Sequence, residues 1–367
     1  MSVYAFDMMI QARCRLVLFA VLAVFLCFDS LAAAQLTTDQ LYFGVGRRVP
    51  VNVISPEDFP GELTIKLYDA SSMLEVASAP AARGRVGLAS LFPMLWDAET
   101  PKRVLYAQLY LDEDATGAPL VLQPMLTPNY AINVDPATMQ YSEDREAKPA
   151  FEDDRLPVLH ARGRVSSPDR EVTFSGYRVY VEQEVVMETT MGEIVYRMRP
   201  DAAPNTVFNF LHLVEGGFYS DVIFHRVVAA LPDGRPFVIQ VGDPSGTGSG
   251  GPGFMLDLEK SDLRHDFGVL SMARASDPNS NGSQVFVCLS REGTAFLDGR
   301  YTSFAQAISG AEVIRKIAAV EVGANDRPFD PPMITRAVTR DAPPIPERSA
   351  PIGSSASTTP SSVPQER

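Results

Sequence analysis

The sequence predicts a mainly β protein: a closed antiparallel β-barrel with two capping helices, preceded by a small β-sandwich-like domain. Three observations predict it. In the first half, Leu63, Ile65 and Leu67 alternate with Thr64 and Lys66, and Leu105, Ala107, Leu109 and Leu111 alternate with Tyr106, Gln108, Tyr110 and Asp112, the period of half-buried strands. In the second half, two stripes of helical period stand among many short strand-like runs. Between the runs, Pro and Gly recur at turn positions.

The first residues read as an address. Arg13 and Arg15 precede an apolar run, Leu16 to Phe28, and Ala32-Ala33-Ala34-Gln35 offers small residues where a signal peptidase cuts. Residues 1–34 are therefore expected to be a signal peptide, which places the mature protein in the periplasm or outside the cell. The run is shorter than the ~20 residues a span needs, so no stable membrane span is expected after cleavage. Cys14 and Cys27 leave with this segment, and Cys288 then has no partner for an intramolecular disulfide. It is expected to be a small buried hydrophobe.

Residues 35–134 read as a β-rich domain, a sandwich of antiparallel strands punctuated by Pro56, Pro60-Gly61, Pro80 and Thr116-Gly117. No catalytic cluster stands out there, and Trp96, the only Trp, is expected in its core. Residues 135–157 are acidic, contain Pro136, Pro149 and Pro157, and read as a linker. Residues 158–184 alternate again, as a β extension that could belong to either unit. Residues 341–367 are rich in Pro, Ser and Thr and are expected to form a disordered tail. With 45 acidic against 32 basic residues, a net charge of −13 and no basic run, nucleic acid is not an expected partner.

In residues 185–340, Asp201 and Pro204 stand where a helix begins, Val207, Phe210, Leu211 and Val214 form its apolar stripe, and Gly216-Gly217 stop it. Val313, Ile314, Ile317 and Val320 mark the second helix. Between them lies Val269 to Leu289, where two apolar runs close around a loop of turn formers, Asp277-Pro278, Asn279 and Asn281-Gly282. In the run after that loop, alternation sets Gln284, Phe286 and Cys288 on one face and Val285 and Val287 on the other.

Phe224-His225-Arg226, Phe237-Val238-Ile239-Gln240-Val241-Gly242-Asp243, the loop GTGSGGPG, LSMA, NGSQ before Phe286, and Phe296-Leu297-Asp298-Gly299 follow one another in this order. In these motifs, from Val185 to Arg340, the chain resembles the cyclophilin-type peptidyl-prolyl cis-trans isomerases. The resemblance implies a cyclophilin-like barrel and catalysed rotation about X-Pro bonds of polypeptide substrates. It implies Arg226, His225 and Gln240 as catalytic positions, with Arg226 donating to the twisted amide, His225 supporting the site, and Gln240 and Gln284 placing the substrate backbone and orienting Arg226. Phe237, Phe286 and Leu297 would hold the Pro ring. Ala273, Arg274, Phe296 and Tyr301 complete the substrate-binding positions.

The pattern is not followed everywhere. Phe296 and Tyr301 stand where many eukaryotic members have Trp and His, as in bacterial members, Arg274 replaces a common Asn, and Val241 replaces a Gly. The connection Val227 to Pro236 is several residues longer than usual.

Other chemistries fit less well. Gly246 to Gly251 matches the G-x-G-x-x-G spacing, but Pro252-Gly253 follows where a helix should open, so no helix N-terminus can receive a phosphate. His160, His212, His225 and His265 show no metal spacing, and no cofactor or metal is expected. The function expected is peptidyl-prolyl isomerisation of extracytoplasmic proteins; the alternative is a low-activity scaffold of the same fold that binds Pro-containing segments.

Overall fold

A computed structural model describes residues 34–128, 133–134, 141–142, 160–162 and 171–352. The predicted signal segment up to residue 33, most of the predicted linker and the tail beyond Ile352 lie outside the described residues.

Two antiparallel sheets build the first unit. Strands β1 (Gln35–Thr37), β3 (Pro50–Ile54) and β6 (Gly84–Gly87) form the smaller one. The larger contains β4 (Leu63–Asp69), β5 (Glu75–Pro80), β7 (Leu105–Leu111), β8 (Asp114–Pro128), β11 (His160–Arg162) and β12 (Glu171–Val181) in the order β11-β12-β8-β7-β4-β5, with β2 (Tyr42–Gly44) on β12. Two further short strands, β9 (Asn133–Val134) and β10 (Tyr141–Ser142), pair with each other. Strand alternation turns Leu36, Val51 and Val53 of the small sheet and Ile65, Leu67, Leu105, Leu120 and Val179 of the large one into a shared core. Trp96 packs against this core, its ring centroid 5.4 Å from that of Tyr177 and its Nε1–H donating to the Arg47 carbonyl. Of the stretch 158–184, residues 171–181 pair with β8 and so extend the first unit.

The expectation of half-buried strands holds for β4 and fails for β7. Residues Leu105 to Tyr110 are all buried. The reason is a neighbour the local pattern does not contain: Leu105, Ala107 and Leu109 face the sandwich core, while Tyr106 faces the core of the second unit, with Val121 and Tyr180 beside it.

The second unit is one curled antiparallel sheet of nine strands. In chain order these are β13 (Gln183–Thr189), β14 (Gly192–Met198), β15 (Val222–Ile223), β16 (Arg226–Ala230), β17 (Pro236–Val241), β18 (Val269–Met272), β19 (Val285–Cys288), β20 (Ser303–Ser309) and β21 (Met333–Asp341), and in space β15-β21-β13-β14-β20-β18-β19-β17-β16. Of the expected closed barrel, the structure shows the curled antiparallel sheet. The edge strands β15 and β16 are joined by the chain through Phe224-His225 and not by a ladder of hydrogen bonds.

Helices α1 (Pro204–Glu215) and α2 (Ala311–Ala318) bury the predicted stripes, Val207, Phe210, Leu211 and Val214 in one and Val313, Ile314 and Ile317 in the other. Val320 falls past the end of α2. Pro204 opens α1 as expected, but Asp201 does not cap it: its carboxylate takes two hydrogen bonds from Arg199. The free N–H groups of Asn205 and Thr206 donate instead to the Glu259 carboxylate, which satisfies donors that a helix start leaves open.

The units meet closely. One residue, Glu182, separates β12 from β13. It is buried and paired with Arg348, whose guanidinium lies 4.5 Å from the centre of the Tyr106 ring. Arg348 belongs to Ala342–Ile352, a segment expected to start the disordered tail. Here the Ile345 N–H donates to Gln108, and the Ile352 N–H to the Ala307 carbonyl, so the segment touches both units.

Candidate active site

Four strands of the curled sheet set the site by register. Arg226 on β16 lies opposite Gln240 on β17, Gln240 opposite Phe286 on β19, and Phe286 opposite Ser271 on β18. Residues directly opposite in an antiparallel pair share a face. Val227, Ile239, Val287 and Leu270, the next row, belong to the interior core, so Arg226, Gln240 and Phe286 stand on the outer face. Gln284, Phe286 and Cys288 share one face, as their alternation predicts. The longer connection between Val227 and Pro236 does not disturb this row. It is absorbed by a hairpin turn in which the Leu231 N–H donates to the Arg235 carbonyl and the Gly234 N–H to the Leu231 carbonyl.

An apolar floor lies beside Gln240. Phe286 and Leu297 are buried in a second cluster with Val238, Leu263, Val269 and Cys288, and Phe237, Ala273 and Tyr301 pack on its rim. Phe237 and Phe296 stack with ring centroids 5.8 Å apart, and Phe296 keeps 49% of its surface exposed. Tyr301 meets Phe286 edge-on at 5.7 Å, and Arg274 lies 4.5 Å from the centre of the Tyr301 ring while donating to the carbonyls of Ala275 and Arg300. Burial pushes the Cys288 thiol well above its ordinary range.

Gln240 and Gln284 form a relay. The Gln240 amide donates to the Gln284 carbonyl oxygen at 2.8 Å, and the Gln284 amide donates to the carbonyls of Gly248 and Gly250 at 3.0 and 2.9 Å. The glycine loop is held from its other side by Asp243, whose buried carboxylate accepts from the N–H groups of Ser245, Gly248 and Gly250. The close packing needs Gly242, at φ 101°, because a Cβ there would lie 2.3 Å from the Ser283 carbonyl. A groove of about 650 Å³ runs along this loop and reaches Gln240, Ala273, Arg274 and Gln284.

The model of the family of cyclophilin type peptidyl-prolyl cis-trans isomerases/CLD matches residues 184–339. The chain is 43% identical over 159 residues to peptidyl-prolyl cis-trans isomerase ppi1 of Schizosaccharomyces pombe, covering 42% of this chain and 97% of the relative. It is 40% identical over 164 residues to peptidyl-prolyl cis-trans isomerase-like 1 of Emericella nidulans, covering 43% and 96%. The chain belongs to the cyclophilin-type peptidyl-prolyl isomerases. Among solved structures, the Cryptosporidium parvum cyclophilin type isomerase crystallised in the presence of the dipeptide Ala-Pro aligns with a TM-score of 0.40 and 33% identity over 43% of this chain and 99% of that one.

Within the cyclophilin domain, two residues differ from their expected surroundings. Arg226 is not bonded to the Gln240–Gln284 relay; its Nε–H and Nη2–H donate to Asp326 at 3.3 and 3.2 Å. His225 is buried against the glycine loop, beside Gln284. Burial, with a smaller contribution from Arg327 and Arg226 against the pull of Asp243, holds its pKa below the ordinary histidine range. A neutral, enclosed imidazole suits packing and not proton transfer.

Sequence reasoning passed over His265. Its Nε2 lies 2.9 Å from the Ser271 hydroxyl and its Nδ1 2.9 Å from Asp298, the relative placement of a hydrolytic Ser-His-Asp triad. Ser271 and His265 are fully buried, however, so no acyl group can reach the hydroxyl. The His265 ring instead lies nearly parallel to that of Phe286, 6.0 Å away, and braces it from behind. No local pattern signals this, because Asp298 lies 33 residues from His265.

Proposed function

We propose that Arg226 is the catalytic residue of this cyclophilin-type peptidyl-prolyl cis-trans isomerase and that Phe286, Leu297, Phe237 and Phe296 receive the Pro ring. Amide resonance sets the barrier to rotation at about 18–20 kcal/mol, and uncatalysed exchange takes on the order of 10–100 s. No bond is broken, so the catalyst needs a surface that grips the ring and a donor that meets the amide nitrogen once twisting has made it pyramidal. The observation that carries the assignment is the outer-face row, in which a guanidinium and a buried aromatic ring flank Gln240. Arg suits the task because it stays charged and presents rigid donors. Gln240, Gln284, Ala273, Arg274 and Tyr301 border the substrate backbone in this reading, and His225 supports the wall behind it.

Replacing Arg226 by Ala should lower kcat by about 10²–10³, the loss typical of removing one preorganised donor, while peptide affinity changes far less. NMR exchange on a peptide with an Ala-Pro bond measures it, and a folded Arg226→Ala protein exchanging at the wild-type rate would refute the assignment.

The substrates in this reading are Pro-containing segments of proteins outside the cytoplasm of a bacterial cell. The support is the basic, apolar, Ala-x-Ala order of the N-terminal residues and the start of β1 at Gln35, directly after the expected cut. N-terminal sequencing of the mature protein tests it, and Met1 at the terminus would exclude cleavage.

A further inference from the structure

We propose that Asp326 is a positioning residue for the isomerase reaction, aiming the Arg226 guanidinium at the substrate amide. The inference rests on the assignment of Arg226 as the catalytic residue. Arg226 stands on the edge strand of the curled sheet, and its side chain is 43% exposed. A long side chain in that setting samples many rotamers unless something fixes it. One carboxylate oxygen of Asp326 accepts from both Nε–H and Nη2–H, gripping one edge of the guanidinium. The remaining N–H groups, Nη1–H among them, are left for a substrate.

The carboxylate is itself held in place. Asn325 and Asp326 both lie at φ 59°, a region that Asn and Asp enter more readily than other non-glycine residues. The short loop around them is closed by the Gly323 N–H on the Arg327 carbonyl and the Phe329 N–H on the Glu321 carbonyl. Arg327 ties it to the glycine loop by donating to the Gly246 carbonyl at 2.5 Å. A pair as exposed as Arg226–Asp326 contributes little to folding. Its effect therefore falls on the direction of the guanidinium, and misplacing a reacting group by 1 Å can cost about 10²-fold in rate.

The test is a double-mutant cycle in the full chain, read by NMR exchange on a peptide with an Ala-Pro bond and by the melting temperature of each variant. Asp326→Ala and Asp326→Asn should each lower kcat, the former about tenfold, with KM nearly unchanged. Asp326→Glu should recover part of the loss. In the Arg226→Ala background, Asp326→Ala should change nothing further. Equal losses in both backgrounds would show that Asp326 acts through the fold and would overturn the proposal. So would wild-type kcat in a folded Asp326→Asn protein beside an inactive Arg226→Ala, an outcome that leaves the Arg226 assignment standing. Wild-type exchange in Arg226→Ala would remove both.

Discussion

Asp243 shows how one carboxylate can hold a loop that carries few side chains. Burial raises its pKa, and the donors from Ser245, Gly250 and Gly248 outweigh that and hold it below the usual range. A folded-state pKa below the unfolded value, about 3.9, contributes stability that is present above that value and is lost as pH falls toward the folded pKa. Amide resonances of Gly248 and Gly250 should therefore hold their positions as pH falls through about 4 and shift only well below it, where the Asp243 carboxylate of the folded protein takes up its proton. Asp243→Ala should cost about 1–3 kcal/mol in all, measured by thermal melting at pH 7, because the Ser245, Gly248 and Gly250 N–H groups are only partly buried and water can replace the carboxylate at some of them. At this scale much of the site is legible in the sequence. Gln284, Phe286 and Cys288 are two residues apart on a strand, and period two alone puts them on one face. Asp326 is not legible, because it lies 100 residues from Arg226 and reaches it through a loop of unusual backbone angles that no periodicity encodes.

Strands and helices reveal their inward faces more readily than their neighbours. The stripe of α1 predicts which of its side chains are buried, yet its N-terminus is satisfied by Glu259, more than 50 residues away. Likewise β7 alternates as a half-buried strand does, and only the second unit against Tyr106 makes it buried throughout. Low hydrophobicity marks residues after 340 as tail, but Arg348 lies buried between the units because Glu182 and Tyr106 await it. Burial pushes the Glu182 carboxyl up to about 7, with Arg348 pulling against it. A pKa raised above the unfolded value contributes stability that is full below about 4.5 and lost as pH rises through about 7. Arg348→Ala should then cost about 3–5 kcal/mol near neutral pH, as breaking a buried pair does. The deficit should shrink toward pH 5, where Glu182 takes up a proton. Melting temperatures of both proteins from pH 5 to 8 check this.

The whole molecule is organised as two units, as composition and motifs suggest, but with a shared border that they do not. Tyr106, Val121 and Tyr180 of the first unit belong to the same core as the interior of the curled sheet. We propose that the isomerase domain begins at Gln183 and needs residues up to Ile352. A fragment of residues 183–352 should show a cooperative transition at a lower melting temperature than the full chain, since it exposes the side of its core that Tyr106 covers. Ending the fragment at residue 340 should lower the transition further by removing Ile352, whose N–H donates to the Ala307 carbonyl, and Ser349, whose carbonyl accepts from Arg197. Equal melting temperatures for the two fragments would show that the segment contributes nothing to the domain.

The single Trp of the chain packs against Phe174 and Tyr177 in the first unit, while the catalytic unit has Phe296 at its mouth. Indole emission is thus a natural optical tag on the first unit, apart from the isomerase site. Loss of that emission on heating would time the opening of the sandwich alone, and peptide exchange followed in the same sample would time the loss of the enzyme. Coincident curves would mean that the border between the two units transmits unfolding from one to the other.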